Sequence, residues 1–171
     1  MQRRAFLAFV ASSASLALIS LNGCGFALRK APDFAFTTLY SSLAESSPLG
    51  VELRRSLEAT RKVKVISDAG RINEAQVILE VLLDQREKVV LSLNATGQVR
   101  EFQLRLRFRF RLRTPAGKEL IPASEIALQR DISFNESAVL AKEAEENLLY
   151  RDMQSDVVQQ IMRRLAAVKE L

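Results

Sequence analysis

The sequence predicts an α+β domain, a mostly antiparallel sheet with two helices, and three observations carry that reading. From Phe102 to Arg113 apolar and polar residues alternate over twelve positions, the two-residue period of a strand with one buried face. Two other stretches repeat an apolar residue every fourth position, as a helix with one apolar stripe does. Turn-forming clusters at 94–97 and 115–118 separate the long β segments from one another.

Taken in order, Phe34 to Leu43 alternates aromatic or β-branched residues with small polar ones and reads as a first strand. Ser47 and Pro48 supply an N-cap followed by proline at the first helical position. Leu49, Leu53 and Leu57 then form one stripe, with Arg54, Arg55, Glu58 and Arg61 elsewhere on a helix of about four turns. Lys62 to Ile66 reads either as a short strand or as an extended entry to the turn at 67–70.

Residues 76–93 form a long strand, 94–97 a turn and 99–113 the returning strand. A two- or four-residue loop would pair odd positions of the first arm with even positions of the second. That register adds Leu79, Val81, Leu83 and Val89 to the apolar face of Phe102 to Leu112, and sets Glu80 and Asp84 among the arginines. Gln85 and Glu87 do not suit the apolar face, so that stretch is expected to lie beyond the helix cover or to contain a bulge. The third arm places Ile126, Leu128, Ile132 and Phe134 on one face. Matching them to the apolar face requires one extra residue, in an odd-length turn or in a bulge, for which Pro122 is the natural place.

A long helix follows, with Leu149, Met153, Val157, Ile161 and Leu165 every fourth residue and Leu148 and Met162 widening the stripe. The acids Glu143, Glu145 and Glu146 precede Arg163, Arg164 and Lys169, the order that a helix dipole favours.

Composition excludes several chemistries. The chain has 171 residues, no His and one Cys, so it cannot assemble a His/Cys zinc site, a Ser-His-Asp triad or a Cys-His pair. There is no glycine-rich phosphate loop, since Gly97 and Gly117 each sit in a turn. The glutamates at 143, 145 and 146 read as first-turn helix residues rather than paired acids for catalysis. No metal, cofactor or enzymatic activity is expected.

Residues 1–23 read as a leader. Arg3 and Arg4 form a basic start, Ala5 to Leu21 carries no charge, and Leu21-Asn22-Gly23-Cys24 has the form of a bacterial lipobox. Seventeen uncharged residues are also at the short end of a spanning helix, but the basic start, apolar stretch and lipobox in that order favour a lipoprotein signal. On this reading Cys24 becomes the first residue of a single domain, 24–171, and carries lipid on its sulfur and amine. Two or three acyl chains, palmitate among them, would anchor it stably. Gly25 stands where an Asp would favour inner-membrane retention, so the expected location is the outer membrane, lipid-anchored on the periplasmic side. Removal of the leader leaves 148 residues with a net charge of +3, down from +5. Nucleic acid is not an expected partner.

The arginines at 105, 107, 109, 111 and 113 share one strand face. They read either as a solvated face with ion pairs to Glu80, Asp84, Glu125 or Asp131, or as a surface for phosphate-bearing ligands, whose geometry the guanidinium fork matches.

The start Cys24-Gly25-Phe26-Ala27-Leu28-Arg29 resembles that of the lipopolysaccharide-assembly lipoprotein family LptE, given this element order. Pro48-Leu49 opening the first helix, Gly97-Gln98 to Glu101-Phe102-Gln103, and Leu140-Ala141-Lys142 before the long helix match as well. The resemblance covers essentially the whole mature chain. It implies two helices on one face of a four-stranded sheet, with the first strand beside a later one. It implies no bond-making chemistry, but a plug in the β-barrel of LptD that helps the barrel assemble and contacts lipopolysaccharide on its way to the outer leaflet. Family members contact that ligand with basic residues at the hairpin tip and before the last helix. Lys142 matches the second position. Ala95 stands where some members have a basic tip residue, and Arg100 is the nearest basic side chain. Arg105, Arg107, Arg109 and Arg111 are then left for barrel docking or an anionic ligand. The competing reading is a ligand-free periplasmic scaffold lipoprotein of another envelope complex.

Overall fold

A computed structural model describes residues 32–171; the leader and Cys24 lie outside the described residues. The strands are β1 (Thr38–Ser41), β2 (Lys64–Ile66), β3 (Val77–Leu93), β4 (Val99–Arg113) and β5 (Glu119–Ser133). The helices are α1 (Pro48–Glu58) and α2 (Val139–Ala167), with 3₁₀ turns at Ala69–Glu74 and Glu136–Ala138.

The sheet runs β2-β1-β3-β4-β5. β1 is parallel to both β2 and β3, while β3, β4 and β5 are antiparallel. The α+β class stands, but the expected sheet of four mostly antiparallel strands is corrected to five strands of mixed direction. Two short segments account for the difference. β2 is the optional strand at 62–66, reduced to three residues, and β1 keeps only four of the ten residues from Phe34 to Leu43. The alternation from Phe34 to Leu43 marks β1 but overstates its length, since only the residues that pair in parallel, Thr38 with Lys64 and Leu39 with Val77 among them, form the strand.

α1 begins as its sequence specifies, with the Ser47 side chain accepting from the Gly50 N–H and Pro48 in the first turn. It ends after eleven residues, nearer three turns than four. Leu49, Leu53 and Leu57 are buried against Met153, Val157, Ile161 and Leu165 of α2 and against Leu104, Leu106, Phe108, Phe110 and Leu112 of β4, in one core. Leu148, placed in the α2 stripe by spacing, is exposed, and Tyr150 and Val158 are buried instead.

Turn length sets the register. In the first turn Gly97 N–H donates to the Asn94 carbonyl and Asn94 N–H to the Gln98 carbonyl, with Gly97 at φ +83°. This is a three-residue loop closed by a glycine in the left-handed region, so it has odd length rather than the expected two or four. Even residues of β3 therefore face even residues of β4, as in Asp84 opposite Phe108, Arg86 opposite Leu106 and Lys88 opposite Leu104. A bulge between Val81 and Leu83 then restores the expected parity, with Val81 opposite Phe110 and Leu79 opposite Leu112.

Five assignments are corrected by this. Leu83 and Val89 lie beside the arginines, opposite Arg109 and Gln103, and not on the apolar face. Asp84 lies opposite Phe108 and not on the arginine face. Gln85 and Glu87 are opposite Arg107 and Arg105, which removes their conflict with the core. No bulge falls in that stretch, whose pairing runs unbroken from Leu83 to Val90; the register shift lies before it, between Val81 and Leu83. The second turn repeats the device, with Gly117 at φ +93° and Thr114 N–H donating to the Lys118 carbonyl. Its odd length already matches the apolar faces. Pro122 lies within a register shift, as foreseen, and a second shift nearer the turn completes a net displacement of two residues, so Ile126, Leu128 and Ile132 meet Phe108, Leu106 and Phe102.

Candidate functional site at the hairpin tip and on the open sheet face

The long hairpin brings two separated parts of the chain to one end of the sheet. Gln98, at the tip, donates to both carboxylate oxygens of Glu136 at 3.2 Å, tying the turn to the segment before α2. The Phe134 N–H donates to the Arg100 carbonyl at 2.7 Å. One residue away, Lys142 Nζ donates to Ser133 Oγ at 3.0 Å and to Glu145 Oε2 at 2.8 Å. Arg100 and Lys142, separated by 42 positions in the chain, are thus both set at the Ser133–Phe134 end of β5. They differ in state. The Lys142 side chain is 21% exposed and its charge is matched by Glu145, whereas Arg100 is exposed and has no side-chain partner among the described residues.

Sequence reasoning missed the apolar character of this end. Val90, Leu91 and Leu93 on the hairpin and Val139 and Leu140 at the start of α2 are exposed, Leu140 to 82%. Nearby, Phe102 and Phe134 meet edge to face at 5.3 Å, and Lys88 Nζ lies 4.3 Å from the Phe102 ring centroid while bonding Glu146 at 2.6 Å. The available signal was the run Val89-Val90-Leu91-Ser92-Leu93, which breaks the alternation expected of a strand with one buried face. Apolar surface beside cations is chemistry suited to an anionic amphiphile.

The arginine stripe lies opposite the helices and is largely matched. Glu80 receives Arg111 Nε and Arg113 Nε, each at 2.5 Å. Desolvation pushes the Glu80 carboxyl up, but the hydrogen bonds from the two arginines outweigh it and hold the group below the usual carboxylate range. Arg107 bonds Glu125 at 2.8 Å, and that hydrogen bond is the main reason the Glu125 carboxyl is lowered. Arg105 donates to Gln103 at 2.8 Å. Arg109 alone of the five has no hydrogen-bond or ion-pair partner among the described residues. Glu87 and Asp131, opposite Arg105 and Gln103, add further negative charge. The face is a ladder of mixed charge rather than a field of one sign.

On the helix side, the inward-facing polar residues of β3 are held by α2. Arg86 donates to Gln154 Oε1 at 2.8 Å and lies 5.4 Å from the Tyr150 ring centroid. Gln154, only 6% exposed, donates on to Glu52 of α1 at 2.6 Å. Asp84 has no such partner among the described residues, and burial pushes its carboxyl up. No group of three acidic or cysteine side chains able to hold a metal occurs among the described residues.

A layered α+β domain with long hairpins, a balanced charge ladder and an apolar, cation-bearing tip has the features of a binding surface. Residues 36–165 match the family described as LptE: Lipopolysaccharide-assembly, and the chain belongs to that family. It is 29% identical over 155 residues to the LPS-assembly lipoprotein LptE of Pectobacterium atrosepticum, covering 90% of this chain and 82% of that protein. To the protein of the same name from Yersinia pestis it is 30% identical over 157 residues, covering 90% and 73%. Among solved structures it is similar to lipoprotein B of Nitrosomonas europaea, with TM-score 0.70, 36% identity and 84% and 91% of the two chains covered. It is also similar to the rare lipoprotein B of Shewanella oneidensis, with TM-score 0.62, 27% identity and 77% and 93% covered. The chain is a lipoprotein of lipopolysaccharide assembly and not an enzyme.

Proposed function

We propose that the chain is anchored to the outer membrane through lipid on Cys24 after removal of residues 1–23. From there it plugs and assists assembly of an LptD-type β-barrel, and it binds lipopolysaccharide through the tip end of its sheet during transfer to the outer leaflet. The observation that carries the reading is the convergence of Arg100 and Lys142 on one end of β5, beside exposed Val90, Leu91, Leu93 and Leu140, in a chain of this family. Phosphates suit the two cations and acyl chains suit the apolar side chains. The stripe of Arg105, Arg107, Arg109 and Arg111 suits a different task. With its charges largely compensated, it fits a barrel wall of alternating polar residues better than a phosphate cluster. Purification from outer membranes through a tag on Leu171 tests the partner, with a one-to-one complex with a large barrel protein expected. Recovery without any barrel would favour the ligand-free scaffold.

A further inference from the structure

β3 is flanked on both sides for only part of its length. β1 pairs with it at Val77, Ile78 and Leu79, and Ser42 Oγ accepts from the Val81 N–H at 2.8 Å. From Leu82 to Leu93 no strand among the described residues lies on that side, while β4 runs along the other. Thr114 N–H donates to the Lys118 carbonyl at one end of β4 and Phe134 N–H to the Arg100 carbonyl at the other, so even-numbered residues of β4 bond β5 and odd-numbered ones bond β3. The β3 partners of Arg109, Arg107, Arg105 and Gln103 are Leu83, Gln85, Glu87 and Val89. The backbone N–H and C=O groups of Asp84, Arg86 and Lys88 therefore point away from β4, along an open edge.

The outer edges of the sheet are guarded. β2 has only three residues, and β5 carries Pro122 within a register shift and the charges of Glu119, Glu125, Arg130 and Asp131. The open edge of β3 has no proline, and Leu82 and Val89 are exposed along it.

This edge is complementary to itself in the antiparallel sense. With Arg86 opposite Arg86 of a second copy, Asp84 meets Lys88 twice on the helix side of the sheet. On the other side Leu83 meets Val89 and Gln85 meets Glu87, each twice. Asp84 has no hydrogen-bond or ion-pair partner among the described residues, and Lys88 has ammonium donors beyond the one on Glu146. Each central Arg86 is drawn aside to Gln154 and the Tyr150 ring of its own chain. Shifting the register one way sets Arg86 against Lys88, and shifting it the other way sets Leu83 against Glu87, so the register with Asp84 opposite Lys88 is the best matched of the three.

We propose that the open edge of β3 pairs antiparallel with the same edge of a second copy of this chain, joining the two sheets into one. The contact is two-fold and isologous, so it closes at two copies. It describes the free chain and is given up on entry to a one-to-one barrel complex.

The test uses residues 25–171, which retain the whole core from Phe36 to Leu165. Sedimentation equilibrium between about 10 µM and about 1 mM protein should show a monomer passing to a dimer. Over the same range amide exchange at Asp84, Arg86 and Lys88 should slow about tenfold. Asp84→Lys and Lys88→Asp should each weaken the dimer about tenfold or more by setting like charges opposite, and an equimolar mixture of the two should regain it, because each chain then supplies the charge the other needs. Arg130→Asp, on the guarded β5 edge, should leave the dimer unchanged. A chain that stays monomeric at about 1 mM, a mixture no better than either variant alone, or an equal loss with Arg130→Asp would overturn the proposal. Melts show that each variant is folded, and amide exchange in the wild type tests the same edge without any substitution.

Discussion

The register of β3 makes a prediction that a double-mutant cycle can measure. With the three-residue turn, Arg86 must face α2, where it donates to Gln154 at 2.8 Å and Gln154 donates to Glu52 at 2.6 Å. Gln154→Leu removes two hydrogen bonds to charged groups, each worth about 1.5–3 kcal/mol. The new leucine, almost fully buried, returns about 1–2 kcal/mol of apolar burial. Arg86 keeps the Tyr150 ring and Glu52 keeps Ser155 Oγ at 2.7 Å, so neither is left wholly unpaired. The expected net loss is about 2 kcal/mol, read as a lower urea midpoint and a fall of about 6 °C in Tm. Arg86→Met alone should also destabilise, and the double variant should recover at least about 1 kcal/mol relative to the sum of the single losses. Additivity within about 0.5 kcal/mol would refute the contact, and with it the inward placement of residues 84, 86 and 88.

Three further outcomes follow from named contacts. Asp84 has a raised folded-state pKa because burial disfavours its charge, so the wild type is penalised above that pKa and relieved as pH falls through it toward the unfolded value; Asp84→Asn should be the more stable protein at pH 7 and equal to wild type in acid, as read by thermal melts across pH. Glu80 has the opposite sign, because its depressed carboxyl contributes stability above the unfolded pKa that is lost as pH falls through the folded one; Glu80→Gln should lose stability at pH 7 and flatten that acid limb. Arg61→Gly should raise the urea midpoint, gaining about 1 kcal/mol by relieving the left-handed residue.

What could be read from the sequence follows from where the information lies. The alternation in β4 and the fourfold spacing in α1 and α2 are local, and the side chains they mark from Leu104 to Leu112 and from Met153 to Leu165 lie in the core, although Leu148, which spacing also placed there, is exposed. The facing of β3 was not legible, because it depends on whether the 94–98 turn holds two, three or four residues, and Asn-Ala-Thr-Gly suits several of these. A one-residue difference reverses every side chain, which moved Asp84 inward and Leu83 and Val89 outward. β1 was read as a strand, but its short extent, the place of β2 in the sheet and their parallel pairing were not legible, since the pairing partners lie far away in sequence and parallel pairing leaves no turn signal. Of the site, Lys142 and Arg100 could be nominated by resemblance. Their shared position at the end of β5, the Glu145 and Ser133 partners of Lys142, and the exposed Leu140 beside them are tertiary facts.

The most direct test of the account is lipopolysaccharide binding by the purified protein, measured side by side for Lys142→Asp, Arg100→Asp and Arg107→Asp, with melts confirming that each variant is folded. The account predicts that the two substitutions at the end of β5 weaken binding while Arg107→Asp, which reverses one rung of a charge-balanced ladder, leaves it intact. Unchanged binding in both tip variants, or a loss confined to Arg107→Asp, would contradict it and move the ligand to the open face of the sheet.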